Sequence, residues 1–285
     1  MFTGLSAFPL TPLDEAGAVD EPAFERLVAR LAEAGVDSIG ALGSTGSYAY
    51  LRRDERARVA RLAVGAAAGV PVMIGIGAVR TEHVIAHAHD AQAAGAAAVL
   101  LAPVSYQVLT EDEVYGLYAD VTAELSVPLC VYDNPGTTHF AFSDDLHAGV
   151  AAFPGVRAIK LPGEHAGHRI SALRPRVRTS VALGFAGDQF AAAALSAGAD
   201  VWFSVLGGLF PDLALAIMRE GEPAVERLEL LWALFRRHGS VRVMATAAAL
   251  LGLAGERNLP RPLQLLDGDA RAELESALRA LEVSG

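Results

Sequence analysis

Of the 23 lysine and arginine residues in this 285-residue chain, 22 are arginine and one is lysine, Lys160. Lysine is ordinarily among the commonest residues, and arginine can supply surface charge, solubility and ion pairs equally well. It cannot supply a deprotonated amine, because guanidinium keeps its proton in proteins. A neutral amine attacks carbonyl carbon and forms Schiff bases. Lys160 ends the run Val156-Arg157-Ala158-Ile159 and precedes Leu161-Pro162. Apolar flanks of this kind pull an amine below its usual pKa of about 10.4, since burial disfavours the ammonium. The plainer alternative is an ion pair, for which this chain would use arginine.

Other residue groups could serve the same chemistry. Tyr132 closes Cys130-Val131-Tyr132-Asp133-Asn134-Pro135-Gly136, and a phenol there could exchange a proton with a carbinolamine oxygen. Gly43-Ser44-Thr45-Gly46 is a glycine-bounded turn whose N–H groups and hydroxyls could hold a carboxylate. Gly184-Phe185-Ala186-Gly187-Asp188 and Phe203 to Gly208 read as loops following two late strands. Barrels often place phosphate sites in such loops, which leaves a phosphorylated substrate open. His83 and His87 have the i,i+4 spacing of a metal pair, and His89 lies on the same segment. No glutamate completes a zinc-protease pattern, so these three read as solvated helix-surface histidines. His139, His165 and His168 could form a metal-dependent aldolase site, but no spacing demands it. Cys130, the single cysteine, reads as a buried strand residue, and with no disulfide to form it fits a reducing compartment.

The elements that must position these groups alternate along the chain. Short apolar runs at Gly4–Phe8, Asp37–Leu42, Val70–Gly75, Ala97–Ala102, Val127–Tyr132, Val156–Lys160, Ser180–Gly184 and Val201–Ser204 have the character of parallel strands buried on both faces. Amphipathic segments separate them: Glu21–Ala34, Asp54–Ala68, Thr81–Ala94, Glu111–Leu125, Ser143–Ala152, His165–Leu173, Asp188–Ala197 and Pro211–Glu220. Gly35, Gly69, Gly95 and Gly198 stand where helices stop, as C-capping glycines do. Eight such units predict an α/β fold, a (β/α)8 TIM barrel over residues 1–220. An open dinucleotide-binding sheet would need a G-x-G-x-x-G motif, and Gly75-Ile76-Gly77 lacks its third glycine. Beyond Gly221, Pro223–Arg237, Ser240–Leu251 and Asp269–Leu281 predict a three-helix extension over 221–285, with Arg257–Leu266 an ordered loop.

Composition narrows the function classes. The formal charge of −10 argues against nucleic acid or an anionic membrane as partner. No apolar run reaches the roughly 20 residues that span a bilayer, and the N-terminus carries no secretory signal pattern. A cytoplasmic enzyme is expected.

In their order and spacing, Thr11-Pro12, Gly-Ser-Thr-Gly at 43–46, Tyr-Asp-Asn-Pro-Gly at 132–136, Ile159-Lys160, Gly187-Asp188 and Asn258-Leu259-Pro260-Arg261-Pro262 resemble the dihydrodipicolinate synthase/N-acetylneuraminate lyase superfamily along essentially the whole chain. The resemblance implies a class I lyase, needing no cofactor or metal, that condenses pyruvate with an aldehyde or releases pyruvate from a longer 2-keto acid. Lys160 would be the nucleophile, Tyr132 the acid/base and Thr45 the loop hydroxyl that shuttles protons. Ser44, Thr45 and Gly46 would hold the pyruvyl carboxylate. Ser47, Tyr106, Thr137, His139, Gly184 and Phe203 would complete the substrate site. The family implies a homotetramer or homodimer.

Some positions depart from the family pattern. Ser47 replaces the usual glutamate, and Thr137, with Thr138 and His139 after it, stands where lysine-biosynthesis enzymes carry an arginine for the aldehyde's carboxylate. Val104-Ser105 occupy the place of the family's paired tyrosines, with Tyr106 one place late. These changes favour a hydroxylated, sugar-acid type substrate. The alternatives are 4-hydroxy-tetrahydrodipicolinate synthesis and a non-catalytic keto-acid-binding homologue.

Overall fold

The computed structural model describes residues 1–282. Eight parallel strands close into a barrel in sequence order: β1 (Gly4–Ala7), β2 (Ser38–Ala41), β3 (Val72–Gly75), β4 (Ala98–Leu101), β5 (Leu129–Tyr132), β6 (Val156–Pro162), β7 (Ala182–Ala186) and β8 (Val201–Ser204), with β1 paired to β8. The strands are short, and most are buried along their whole length, which is why they read as continuous apolar runs.

The outer layer is α1 (Glu21–Ala34), α2 (Arg53–Ala66), α3 (Thr81–Ala93), α4 (Glu111–Ala123), a single-turn α5 (Pro135–Thr138), α6 (Asp144–Ala151), α7 (Ala166–Leu173), α8 (Ala191–Ser196) and α9 (Pro211–Glu220). In α1 the buried positions Ala23, Phe24, Leu27, Val28 and Leu31 form the i, i+3, i+4 stripe that faces the barrel. Asp20 caps its first turn, and Gly35, at φ 77°, ends it in a left-handed conformation. α4 begins with a Thr110/Glu113 capping box.

Two strands run further than the sequence reading placed them. β6 continues to Pro162 and β7 to Ala186, paired through Leu161 with Phe185 and Pro162 with Ala186. Proline ends a strand without loss when its missing N–H is not needed by the ladder, so Pro162 did not mark a turn. Lys160 therefore sits two residues below the strand end, inside the barrel mouth.

After α9 the chain is helical: α10 (Glu222–Glu226), α11 (Glu229–His238), α12 (Ser240–Leu250) and α13 (Gly268–Ala280). The single helix expected over Pro223–Arg237 is broken into α10 and α11. At the break the Val225 carbonyl accepts the Leu228 N–H at 3.1 Å, a tightened i+3 bond, and also the Trp232 indole N–H at 2.9 Å. The Asp188–Ala197 segment likewise opens with a tight 3-10 turn before α8. The apolar layer outside the strands continues without interruption into Leu231, Trp232, Leu234 and Leu274 of this extension. Its loop is ordered, with Asn258 buried, its amide donating to the Ala245 and Gly255 carbonyls and its carbonyl accepting from Leu13. The last three residues of the extension as read from sequence lie outside the described residues. Among the described residues no helix is long and apolar enough to cross a membrane.

Candidate active site

Inward-facing positions of the strands fill the barrel centre: Phe8, Met73, Leu100, Cys130, Tyr132, Ala158, Val201 and Phe203 pack there as a separate cluster. Lys160 stands at the top of this cluster, and the register sets it between Tyr132 on β5 and Gly184 on β7. Its Nζ lies 3.9 Å from the Phe8 ring centroid, 4.1 Å from that of Tyr132 and 5.4 Å from that of Phe203. Only 4% of Lys160 is exposed. Burial lowers the amine's pKa to about 7, although Cys130 and Asp188 oppose the shift. The aromatic faces favour an ammonium, but the loss of water outweighs them. The result is an amine of which about half is neutral, and able to attack, at pH 7.

Tyr132 is buried, and burial pushes its phenol up to about 12 against the hydrogen bonds of Ser44 and Asn134. Asn134 Nδ2 donates to the phenol oxygen at 3.0 Å and to Thr137 Oγ1 at 2.6 Å. The phenol thus stays protonated and has a hydroxyl neighbour, an arrangement suited to passing a proton. That neighbour is Ser44, whereas the sequence reading chose Thr45. Both line a cavity of about 660 Å³ together with Ser47, Tyr132, Thr137 and Lys160, within the size range of small-molecule sites. Leu42 and Ser47 bracket the loop with φ of 56° and 52°, an uncommon conformation for non-glycine residues.

Five expected substrate residues fall elsewhere. A Cβ on Gly46 would lie 3.0 Å from Thr11 Oγ1 and close to the Leu42 backbone, so this glycine closes the turn and does not line the cavity. Gly184 is inside β7, where a Cβ would meet Val201 and Phe203; it leaves room beside Lys160. Phe203 is buried beneath the amine and packs edge-on to Phe8. His139 is exposed in a left-handed turn after α5. Tyr106 is 92% exposed and does not reach the cavity of its own chain. The histidine reading also needs a correction: His83 and His89 are exposed, but His87 is buried and burial lowers its pKa to about 4.

Asp188 is a buried carboxylate whose role in the site is structural. It accepts from Trp202 Nε1 at 3.0 Å, Ser204 Oγ at 2.9 Å and the Leu206 amide at 2.9 Å. The Gly207 amide donates to Ser204 Oγ and the Gly208 amide to the Val205 carbonyl. The backbone donors that a phosphate would need after β8 are therefore already occupied. Cys130 is buried in β5, its thiol pushed up to about 12 by burial. Among the described residues no group of three or more His, Cys, Asp or Glu is placed to hold a metal.

Residues that the sequence reading missed also border the cavity: Asn134 and Tyr48 near Tyr132, and Arg236 and Arg242 from the C-terminal helices. Asn134 is signalled by its place two residues after Tyr132. The arginines carry no local signal, because they come from an extension with no fixed relation to the strands. A second cavity, about 530 Å³, lies between Asp14–Gly17 and Glu256–Leu265 and contains none of the chemical residues.

The comparisons with known proteins agree with this geometry. The sequence pattern of the Dihydrodipicolinate synthetase family matches residues 1–281. The 4-hydroxy-tetrahydrodipicolinate synthase of Alkalilimnicola ehrlichii is 31% identical over 265 residues, covering 90% of each chain. The chain spans about half the length of other curated relatives of the same name that it matches. Among solved structures, the dihydrodipicolinate synthase of Agrobacterium tumefaciens is 46% identical with a TM-score of 0.94, covering 98% of both chains. The chloride-inhibited dihydrodipicolinate synthase of Acinetobacter baumannii, complexed with pyruvate, is 25% identical with a TM-score of 0.88, covering 99% of this chain and 100% of that one. With its pattern matched from the first residue to 281 around a closed eight-stranded barrel, the chain belongs to the dihydrodipicolinate synthetase family.

Proposed function

We propose that this protein is a class I lyase in which Lys160 forms a Schiff base with pyruvate. The observation that carries the reading is a buried amine, with a pKa lowered to about 7, opening onto a cavity it shares with Tyr132 and Ser44. In the condensing direction the neutral amine adds to the keto carbon, and the carbonyl oxygen takes up a proton from Tyr132. Loss of that oxygen as water leaves an iminium. Removal of a methyl proton gives an enamine, whose carbon attacks the aldehyde. Tyr132, restored through the Ser44 hydroxyl, moves the protons at each stage. Ser44 and Thr45 line the same cavity as Lys160, which supports their holding the pyruvyl carboxylate. No cofactor takes part in this scheme, and the barrel over 1–220 supplies its chemistry.

The aldehyde has two readings. The named relatives support aspartate semialdehyde and thus 4-hydroxy-tetrahydrodipicolinate synthesis. The hydroxyls of Thr137 and Thr138 at the cavity support a hydroxylated, sugar-acid type partner. Turnover of pyruvate with aspartate semialdehyde, compared with hydroxylated aldehydes of similar length, separates them. We also read the chain as a homodimer or homotetramer. Its support is the pair Tyr106 and Val108, 92% and 90% exposed on one loop, and light scattering tests it.

The test of the central reading is borohydride trapping with pyruvate followed by peptide mass spectrometry. Besides the N-terminus, Lys160 is the only primary amine in the chain. A reduced pyruvyl adduct on the Lys160 peptide, absent in Lys160→Arg, is the expected result. An unmodified Lys160 peptide would overturn the reading.

A further inference from the structure

At the end of β5 two side chains turn inward: the Tyr132 ring faces Lys160, and Asn134 Nδ2 donates to the Tyr132 phenol at 3.0 Å. Asp133, between them, turns outward, as alternation along an extended chain requires, and is 3% exposed. Its amide carries the ladder past β5 by donating to the Lys160 carbonyl at 3.0 Å. Its carboxylate lies behind the barrel wall and meets His147 of α6 and Arg169 of α7. No step of the proposed reaction uses these three side chains. They are costly to place in an apolar layer, here one that includes Phe142, Leu146 and Ile170.

Geometry gives the three an order. Arg169 Nη2 lies 3.2 Å from His147 Nδ1, and a guanidinium only donates, so Nδ1 is the acceptor. Burial lowers the His147 pKa to about 3, so the ring is neutral and its one proton is on Nε2. Phe142 stacks on the ring with centroids 4.7 Å apart and fixes its plane. His147 Nε2 lies 3.6 Å from Asp133 Oδ2 and has no hydrogen-bond partner among the described residues. That distance is longer than a hydrogen bond, and the attraction across it is electrostatic. Burial raises the Asp133 carboxyl to about 6, with Arg169 opposing, so at pH 7 it is mostly the ionised acceptor. The same Arg169 Nη2 is 3.3 Å from Asp144 Oδ1 and 3.9 Å from Asp133 Oδ2, which retains the guanidinium where it orients the imidazole.

We infer that Asp133, held from outside the barrel by His147 and Arg169, is a positioning residue that keeps the Tyr132 phenol in place for proton transfer at Lys160. Residue 133 is the one covalent link between Tyr132 and the Asn134 amide that holds its hydroxyl. Anchoring its side chain to α6 and α7 stops the segment from rotating, a motion that would withdraw the phenol and the amide together. A shift of about 1 Å in such a group can cost roughly 100-fold in rate. The inference rests on the Schiff-base reading of Lys160 and Tyr132.

The test times Schiff-base formation on Lys160 by borohydride quenching over a range of pyruvate concentrations. Asp133→Ala is expected to lower the maximal rate by about tenfold and to leave half-saturating pyruvate unchanged, the split that follows when only the proton transfer is misplaced. Asp133→Asn keeps an acceptor for His147 and should recover most of the rate. Arg169→Gln, at a half-buried position, should lower the rate in the same way as Asp133→Ala. In a Tyr132→Phe background Asp133→Ala should cause no further loss, because the phenol it positions is already gone. An undiminished rate in Asp133→Ala or Arg169→Gln, or an equal loss with and without the Tyr132 hydroxyl, would overturn the inference while leaving Lys160 and Tyr132 in their roles. If Asp133→Ala shows no cooperative thermal melt, the same comparisons on Arg169→Gln decide. Tyr132→Phe at the wild-type rate would overturn the reading of Tyr132, and this inference with it.

Discussion

The Lys160 amine lies 3.9 Å from the centre of the Phe8 ring, so an aromatic one residue past β1 takes the place of the water that would keep a lysine charged. Adduct formation should then rise with pH up to about 7 and level off above it, because only the neutral amine attacks. Phe8→Leu opens space for water beside the amine and should move that midpoint upward. Trapping rates with pyruvate between pH 5 and 9 measure it; an unchanged midpoint in the variant would show that Phe8 is not what dries the amine.

The same burial has a stability consequence with a definite sign. Between about pH 7 and the ordinary lysine pKa of 10.5, the unfolded chain carries a proton on Lys160 that the folded chain does not. Stability therefore rises with pH across that window, and the full penalty applies below it. Lys160→Met removes the penalty and should stabilise the protein at pH 6 by as much as about 4 kcal/mol, with a clearly smaller gain at pH 9. Denaturant unfolding at the two pH values checks this.

Tyr132→Phe keeps the ring that packs against Lys160 and removes the hydroxyl that Asn134 and Ser44 contact. Adduct formation should slow by roughly 10²–10⁴-fold, the usual contribution of a positioned acid/base, with the melting temperature nearly unchanged. Ser44→Ala should give a smaller loss in the same direction. A Tyr132→Phe rate equal to wild type in single-turnover trapping would exclude the phenol from the proton path.

Asp188→Asn replaces one acceptor oxygen with an NH₂ facing donors from Trp202, Ser204 and Leu206. At least one buried donor loses its partner, at a cost of about 1–3 kcal/mol. The variant should melt several degrees lower, and its pH midpoint for trapping should fall, since Asp188 supports the charged form of Lys160.

The residues proposed to do the chemistry, and the alternation that makes a barrel, stand out in the sequence because each rests on local patterns. A lone lysine among arginines marks a proton that must be lost, and apolar runs separated by amphipathic helices mark strands buried on both faces. The family motif kept Lys160, Tyr132 and the Ser44–Thr45 turn in order, and strand register brought them together. Position along a strand was not legible. Gly184 and Phe203 were placed in the substrate site, but register turns one into the gap beside Lys160 and the other into the packing beneath it. Nor could sequence say that Tyr106 and His139 point away from their own cavity. Tertiary structure alone decided that Phe8 would dry the amine and that Arg242, 82 residues downstream of Lys160, would border the same cavity. The reason is that periodicity fixes which face of an element is buried, whereas barrel closure and the docking of the last helices fix which faces meet.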